Sequence, residues 1–155
     1  AIEVCDWSSD VCSSDLVNTE GMHALLPSAE VEVYKKKYKT SHKQFDKYFI
    51  FIEQAINKIN ENGLVCYIVP NKFFKIGAGE KLRNLIAKER MLVSLDDFGD
   101  AQLFEDKTIY SSIILLSKAK QTSFVYSSVD SANKLWAGEE VSSIELNSSV
   151  LNKLP

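Results

Sequence analysis

Six consecutive apolar residues, Leu64 to Val69 in "LVCYIVP", run straight into a proline. The run has the length of a strand, not of a helix, and Pro70 stops ladder pairing at its end. Apolar runs without alternation suit a central strand covered on both faces of a parallel sheet. A helix precedes the run. Phe45, Tyr48, Phe49, Ile52, Ile56 and Ile59 recur at spacings of three and four and form one apolar stripe. Ser41 with Gln44 three residues on reads as a capping box opening that helix, and Gly63 as its C-terminal stop. A second amphipathic helix follows in "GEKLRNLIAKER", with Leu82, Leu85 and Ile86 on one side.

Strands then dominate. "MLVSLDDF" and "TIYSSIILL" (108–116) are both of strand composition, and "SFVYSSV" (123–129) is a weaker third. Alternation of helix and strand implies a parallel α/β sheet. The loop between the first two of these strands has about ten residues. That is too short for a crossover helix, so these two should pair antiparallel. Residues 130–155 are rich in Ser and Asn, and read as the opening of a further region.

The 155 residues, 45% hydrophobic and 25% charged, suffice for one domain with a real core. No apolar run reaches the ~20 residues of a membrane span, and no secretory leader is visible. Cys5, Cys12 and Cys66 are too few and scattered for a disulfide framework, and no Cys/His spacing suggests zinc or another metal. A reducing cytoplasm is the expected compartment. His23 and His42 have no partner pattern. "GAGEK" lacks the spacing of either Gly-rich phosphate fingerprint.

The net charge of −3 argues against nucleic acid until its distribution is considered. Glu3, Asp6, Asp10 and Asp15 all lie in residues 1–16, which hold no Lys or Arg, so the rest of the chain has a small positive balance. "DWSSDVCSSDL" (6–16) has no structural period. It matches, residue for residue, the translation of a common sequencing-adapter oligonucleotide. Residues 1–16 are therefore set aside as an expected artefact.

The segments "FDKYFIFIEQAINKINENGLVCYIVPNKFF", "GEKLRNLI" and "DFGDAQLFEDKTIYSSIILLSK" carry a resemblance that covers residues 17–118. They are similar to the second half of the catalytic domain of restriction-modification DNA adenine-N6 methyltransferases, the Asn-Pro-Pro-Tyr type. The resemblance implies an α/β fold. This would be the C-terminal half of a Rossmann-like AdoMet methyltransferase sheet ending in an antiparallel hairpin. It implies S-adenosyl-L-methionine as cofactor in the complete protein and double-stranded DNA as partner. Residues 119–155 would then begin a linker or target-recognition region.

The same resemblance suggests roles. Pro70, Asn71 and Lys72 would form a cleft wall at the carboxyl end of a strand, where open α/β sheets bind ligands. The alternative is a strand-terminating turn with Asn71 capping the next segment. Phe104 would stack on the flipped adenine, recovering part of the unstacking cost. Phe98 is the rival for that role, and either could be a core residue. Phe51 would lie beside the adenine of AdoMet, or simply pack between layers. Asp46 matches the acid that opens this helix in the family, although Asp46-Lys47-Tyr48 stands where Asp-Leu-Tyr is usual. Lys35, Lys36, Lys37 and Lys39 could touch DNA phosphates or form a solvated face.

No catalytic residue of the family is in this chain. The Gly-containing AdoMet loop and Asn-Pro-Pro-Tyr are both absent from the sequence and would lie upstream of Val17. The expectation is a methyltransferase piece inactive alone, with the rest of the domain missing upstream, an exposed strand edge and poor solubility. A rival is a non-catalytic DNA-recognition or assembly module built on a degenerate half-fold. A nicotinamide-binding oxidoreductase would need a Gly fingerprint that the sequence does not show.

Overall fold

In the computed structural model, residues 28–101, 103 and 110–153 are described. Two helices come first: α1 (Ser28–Lys37) and α2 (Lys47–Lys58). Strand β1 (Leu64–Pro70) leads into a 3-10 turn, Asn71–Phe74, and a second one, Gly77–Gly79. Helix α3 (Glu80–Glu89) precedes β2 (Leu92–Asp97), β3 (Ser111–Ser117) and β4 (Ser123–Ser128). A short helix α4 (Ala132–Trp136), β5 (Ser142–Asn147) and a closing 3-10 segment (Ser148–Lys153) complete the order.

The five strands form one sheet in the order β1-β3-β2-β4-β5. Strand β3 is antiparallel to both neighbours, β1 and β2, so those two run in the same direction with β3 inserted between them. The β2–β3 antiparallel pairing is the one the short loop required. Strand β4 lies parallel to β2, and β5 returns antiparallel along β4. Residues 119–155 thus supply two strands to the same sheet.

The apolar stripe of α2 is buried as its spacing predicts, with Phe49 and Ile52 in the core. They meet Leu82 and Ile86 of α3 and the strand residues Val65, Val69, Leu95, Ile114 and Leu116 in a single cluster. Arg83 is buried among these apolar residues.

Three expectations need correction. The capping box does not form, because α2 starts at Lys47 with Asp46 in the extended N-cap position. The Ser41 hydroxyl is instead buried without a hydrogen-bond partner among the described residues. The helix also ends before Gly63, at Lys58, and Gly63 closes a turn onto the Asn60 carbonyl. Lastly, the "LVCYIV" strand is not covered on both faces. Val65 and Val69 face the helices, whereas Leu64 and Cys66 are exposed. On that second face Ile68, Ile113 and Leu115 are only half-buried, because no layer packs over them among the described residues.

Candidate functional site at the carboxyl ends of the strands

The chain breaks at Pro70 because its backbone (φ −58°) feeds directly into the 3-10 turn of Asn71–Phe74. Phe73 and Phe74 anchor that turn in the core. From below, the Arg83 guanidinium donates to the Phe73 carbonyl at 2.5 Å and to the Ile76 carbonyl at 2.8 Å. Gly79 lies against the same carbonyl: a Cβ there would sit 1.9 Å from the Phe73 oxygen. Only a residue without a side chain fits that approach.

Held this way, Asn71 is buried and its position is over-determined. Its backbone N–H donates to the Tyr110 carbonyl at 2.8 Å, and its side-chain amide donates to Asp97 Oδ1 at 2.8 Å. A carboxylate only accepts, so the Asn71 nitrogen must be the atom facing it. Asp97 ends β2 and is itself buried. It also accepts the Gly99 N–H at 3.0 Å and the Tyr126 hydroxyl at 3.3 Å. Lys75 approaches it at 3.6 Å from a half-exposed position. Gly99 turns the chain away with φ +52°, a conformation suited to glycine. One carboxylate therefore ties together the ends of β1, β2 and β4 at the root of the 99–110 loop.

A second ion pair stands beside it. Lys72 Nζ is 3.0 Å from Asp46 Oδ2, and Asp46 is buried at the start of α2. Its negative charge complements the helix N-terminus, and Lys72 balances it. Burial pushes the Tyr48 phenol well above its ordinary value, and the Asp46 charge adds to this. Tyr126 is raised in the same direction by burial, then by the charge of Asp97 and its hydrogen bond.

Both shifts favour the neutral phenol in the folded state. Their stabilisation is full below the ordinary tyrosine value of about 10 and is lost as pH rises through the shifted values. Thermal melts followed by circular dichroism should therefore fall off in the alkaline range above about pH 10. The Tyr48→Phe and Tyr126→Phe variants should each flatten that fall. Equal alkaline slopes in wild type and both variants would rule out the phenols as its cause.

The structure brings Pro70, Asn71 and Lys72 together at the strand ends with Asp46 and Asp97. Asn71 does not cap the turn that follows it. Phe104 lies outside the described residues. Phe98, its rival, is 1% exposed and offers no open face for a base. Phe51 is half-buried on α2 and stands outside the core cluster. Lys35, Lys36, Lys37 and Lys39 are exposed at the end of α1 and in the turn after it. Lys35 pairs with Glu32 at 3.9 Å, and Lys37 sits over the Tyr38 ring. Among the described residues no group of three or more His, Cys, Asp or Glu could hold a metal ion. No helix among them is long and apolar enough to cross a membrane.

Asp97, Arg83 and Glu53 were not singled out from the sequence. Glu53 is buried on α2 and accepts the backbone N–H groups of Lys39 and Thr40 and the Thr40 hydroxyl, at 3.1, 2.9 and 2.8 Å. Two signals were available: Arg83 and Glu53 each adjoin an apolar stripe residue on the buried side of their helix, and all three residues lie in the segments that carry the family resemblance.

The relatives of this chain share its fold. Residues 17–104 match the Eco57I restriction-modification methylase family. RM.Eco57I of Escherichia coli, a type II restriction enzyme and methyltransferase, is 41% identical over 122 residues. The type II methyltransferase M.PaeR7I of Pseudomonas aeruginosa is 27% identical over 95 residues. These alignments take in 79% and 61% of this chain but only 12% and 17% of the relatives. Among solved structures, the methyltransferase subunit of a type I restriction-modification system from Streptococcus thermophilus superposes with a TM-score of 0.59 at 13% identity. It covers 78% of this chain and 32% of that subunit. The DrdV–DNA complex gives 0.59 at 13% identity, over 79% of this chain and 15% of DrdV. A Listeria monocytogenes protein described as a class I S-adenosylmethionine-dependent methyltransferase gives 0.54 at 17%, over 73% and 36% of the two chains. The sheet thus has part of the fold of these methyltransferase structures, and the chain belongs to the Eco57I restriction-modification methylase family.

Proposed function

We propose that this chain is the C-terminal half of the catalytic domain of a site-specific DNA adenine-N6 methyltransferase acting in the cytoplasm. The observation that carries this is the Asn71–Asp97 bond of 2.8 Å, which builds a polar wall at the carboxyl ends of β1 and β2. Both residues fall inside the family match. Open α/β sheets bind their ligands at such ends. In this reading Pro70, Asn71 and Lys72 flank the pocket for an adenine swung out of the duplex, and Phe104 stacks on it. Lys35, Lys36, Lys37 and Lys39 contact phosphates and set register without reading bases. DNA as the partner is supported by DrdV, similar in fold and solved with DNA.

S-adenosyl-L-methionine would supply the methyl group. Phe51 fits a contact with its adenine, since the ring is half-buried and not spent on the core cluster. Residues 1–16 are read as adapter-derived, 17–118 as the catalytic half, and 119–155 as the start of the next region, joined through the β2–β4 pairing. The chain has neither Asn-Pro-Pro-Tyr nor the Gly-containing AdoMet loop. Alone, it transfers no methyl.

The test is to sequence the source DNA across the codon for Val17 and express the whole frame. The expected frame reads into both motifs, and its product moves label from AdoMet to adenine N6 in duplex DNA. A frame that keeps "DWSSDVCSSDL" and has neither motif would leave the non-catalytic module as the reading. A product methylated on another base would overturn the adenine assignment.

A further inference from the structure

The strand ends line up in a continuous row. Asn71 N–H meets the Tyr110 carbonyl, Phe98 N–H the Ser111 carbonyl at 3.2 Å, and Val129 N–H the Asp97 carbonyl at 2.8 Å. Helix α4 follows β4 on this rim, and its last residue, Trp136, leans on Phe98 with ring centroids 6.4 Å apart and planes at 40°. Phe98 is fully buried and fixed by the turn after Asp97, so it acts as a rigid backing. Trp136 itself is 62% exposed, and Tyr110, in the same row, is 51% exposed. A tryptophan held on one side and open on the other does little for the core. It is the kind of surface on which nucleobases stack.

We propose that Trp136 is a stacking platform for an unpaired nucleobase next to, and separate from, the pocket for the target adenine. This rests on the reading of DNA as the partner. Flipping one base out of a duplex leaves its partner base unpaired, and the Phe98–Trp136 pair stands on the rim that holds Asn71 and Asp97. The charges nearby are net negative and disfavour a phosphate contact at this point: Lys134 of the same helix is paired to Asp130 at 3.1 Å. The exposed Glu139 and Glu140 follow in the turn beyond α4. Stacking uses the ring face and needs no phosphate contact at this point.

The sequence has two tryptophans, Trp7 and Trp136, so Trp7→Phe makes the intrinsic fluorescence report on Trp136 alone. That variant of the 155-residue chain is titrated at low salt with an end-labelled single-stranded oligonucleotide. Tryptophan emission and label anisotropy are read together. The expected result is quenching that tracks the anisotropy. Trp136→Ala should bind about tenfold to a hundredfold more weakly, and Trp136→Phe should retain most of the affinity. Unchanged melting of Trp136→Ala would show that the loss is not one of folding. Anisotropy that rises with no quenching, and with affinity unchanged in Trp136→Ala, would overturn the platform while leaving DNA binding intact. No rise in either signal would overturn both.

Discussion

Replacing Asp97 with alanine is expected to lower the stability of this domain by about 3 kcal/mol, or about 10 °C in Tm. The carboxylate accepts the Asn71 amide, the Gly99 N–H and the Tyr126 hydroxyl. Asn71 is only 3% exposed, and its buried amide would keep only the long 3.5 Å bond to the Gly99 carbonyl. Orphaned buried donors are the costly part of losing a hydrogen bond. Lys75 contributes little, because its pairing at 3.6 Å is half in solvent. Asp97→Asn should cost less, since one oxygen remains to accept. Chemical denaturation of the two variants beside wild type measures this. If Asp97→Ala unfolds at the wild-type midpoint, the carboxylate is not what joins the strand ends.

Arg83→Met should be nearly as damaging, at about 2–4 kcal/mol. Methionine keeps much of the aliphatic bulk but takes the guanidinium away from the Phe73 carbonyl and leaves the Ile76 carbonyl only the Gly79 N–H. A buried charge can sometimes be exchanged for an apolar group at no loss. Here the Phe73 carbonyl belongs to an irregular turn and has no strand ladder to fall back on, so the exchange is not neutral. Amide hydrogen exchange should speed up across residues 71–79 before it does so in β3. A variant within about 0.5 kcal/mol of wild type, with slow exchange kept in that segment, would refute the clamp.

The parts legible in the sequence were those with a period. The stripe from Phe45 to Ile59 specified the face of α2, and the short loop after β2 required antiparallel pairing with β3. The apolar run of β1 announced a strand but could not say whether a second layer covers it. Local signals misled where two competed: Ser41 and Asp46 are both good N-cap residues. Asp46 takes the N-cap position, and its carboxylate is spent on Lys72 rather than on capping. Strand β5, "SSIELN", is polar and almost wholly exposed, and exists by pairing along β4. No local pattern marks it. The Asn71–Asp97 bond spans 26 residues and is invisible until the sheet forms. The resemblance pointed to the strand end at Asn71 and left its partner unnamed.

Strand β1 is the outermost strand of the sheet, and its free side pairs with no other among the described residues. Beside it, Leu64 is 49% exposed and Cys66 is open to solvent. Such a margin presents a row of backbone N–H and C=O groups open to pairing with a strand from a second polypeptide, the geometry by which sheets recruit peptides and also aggregate.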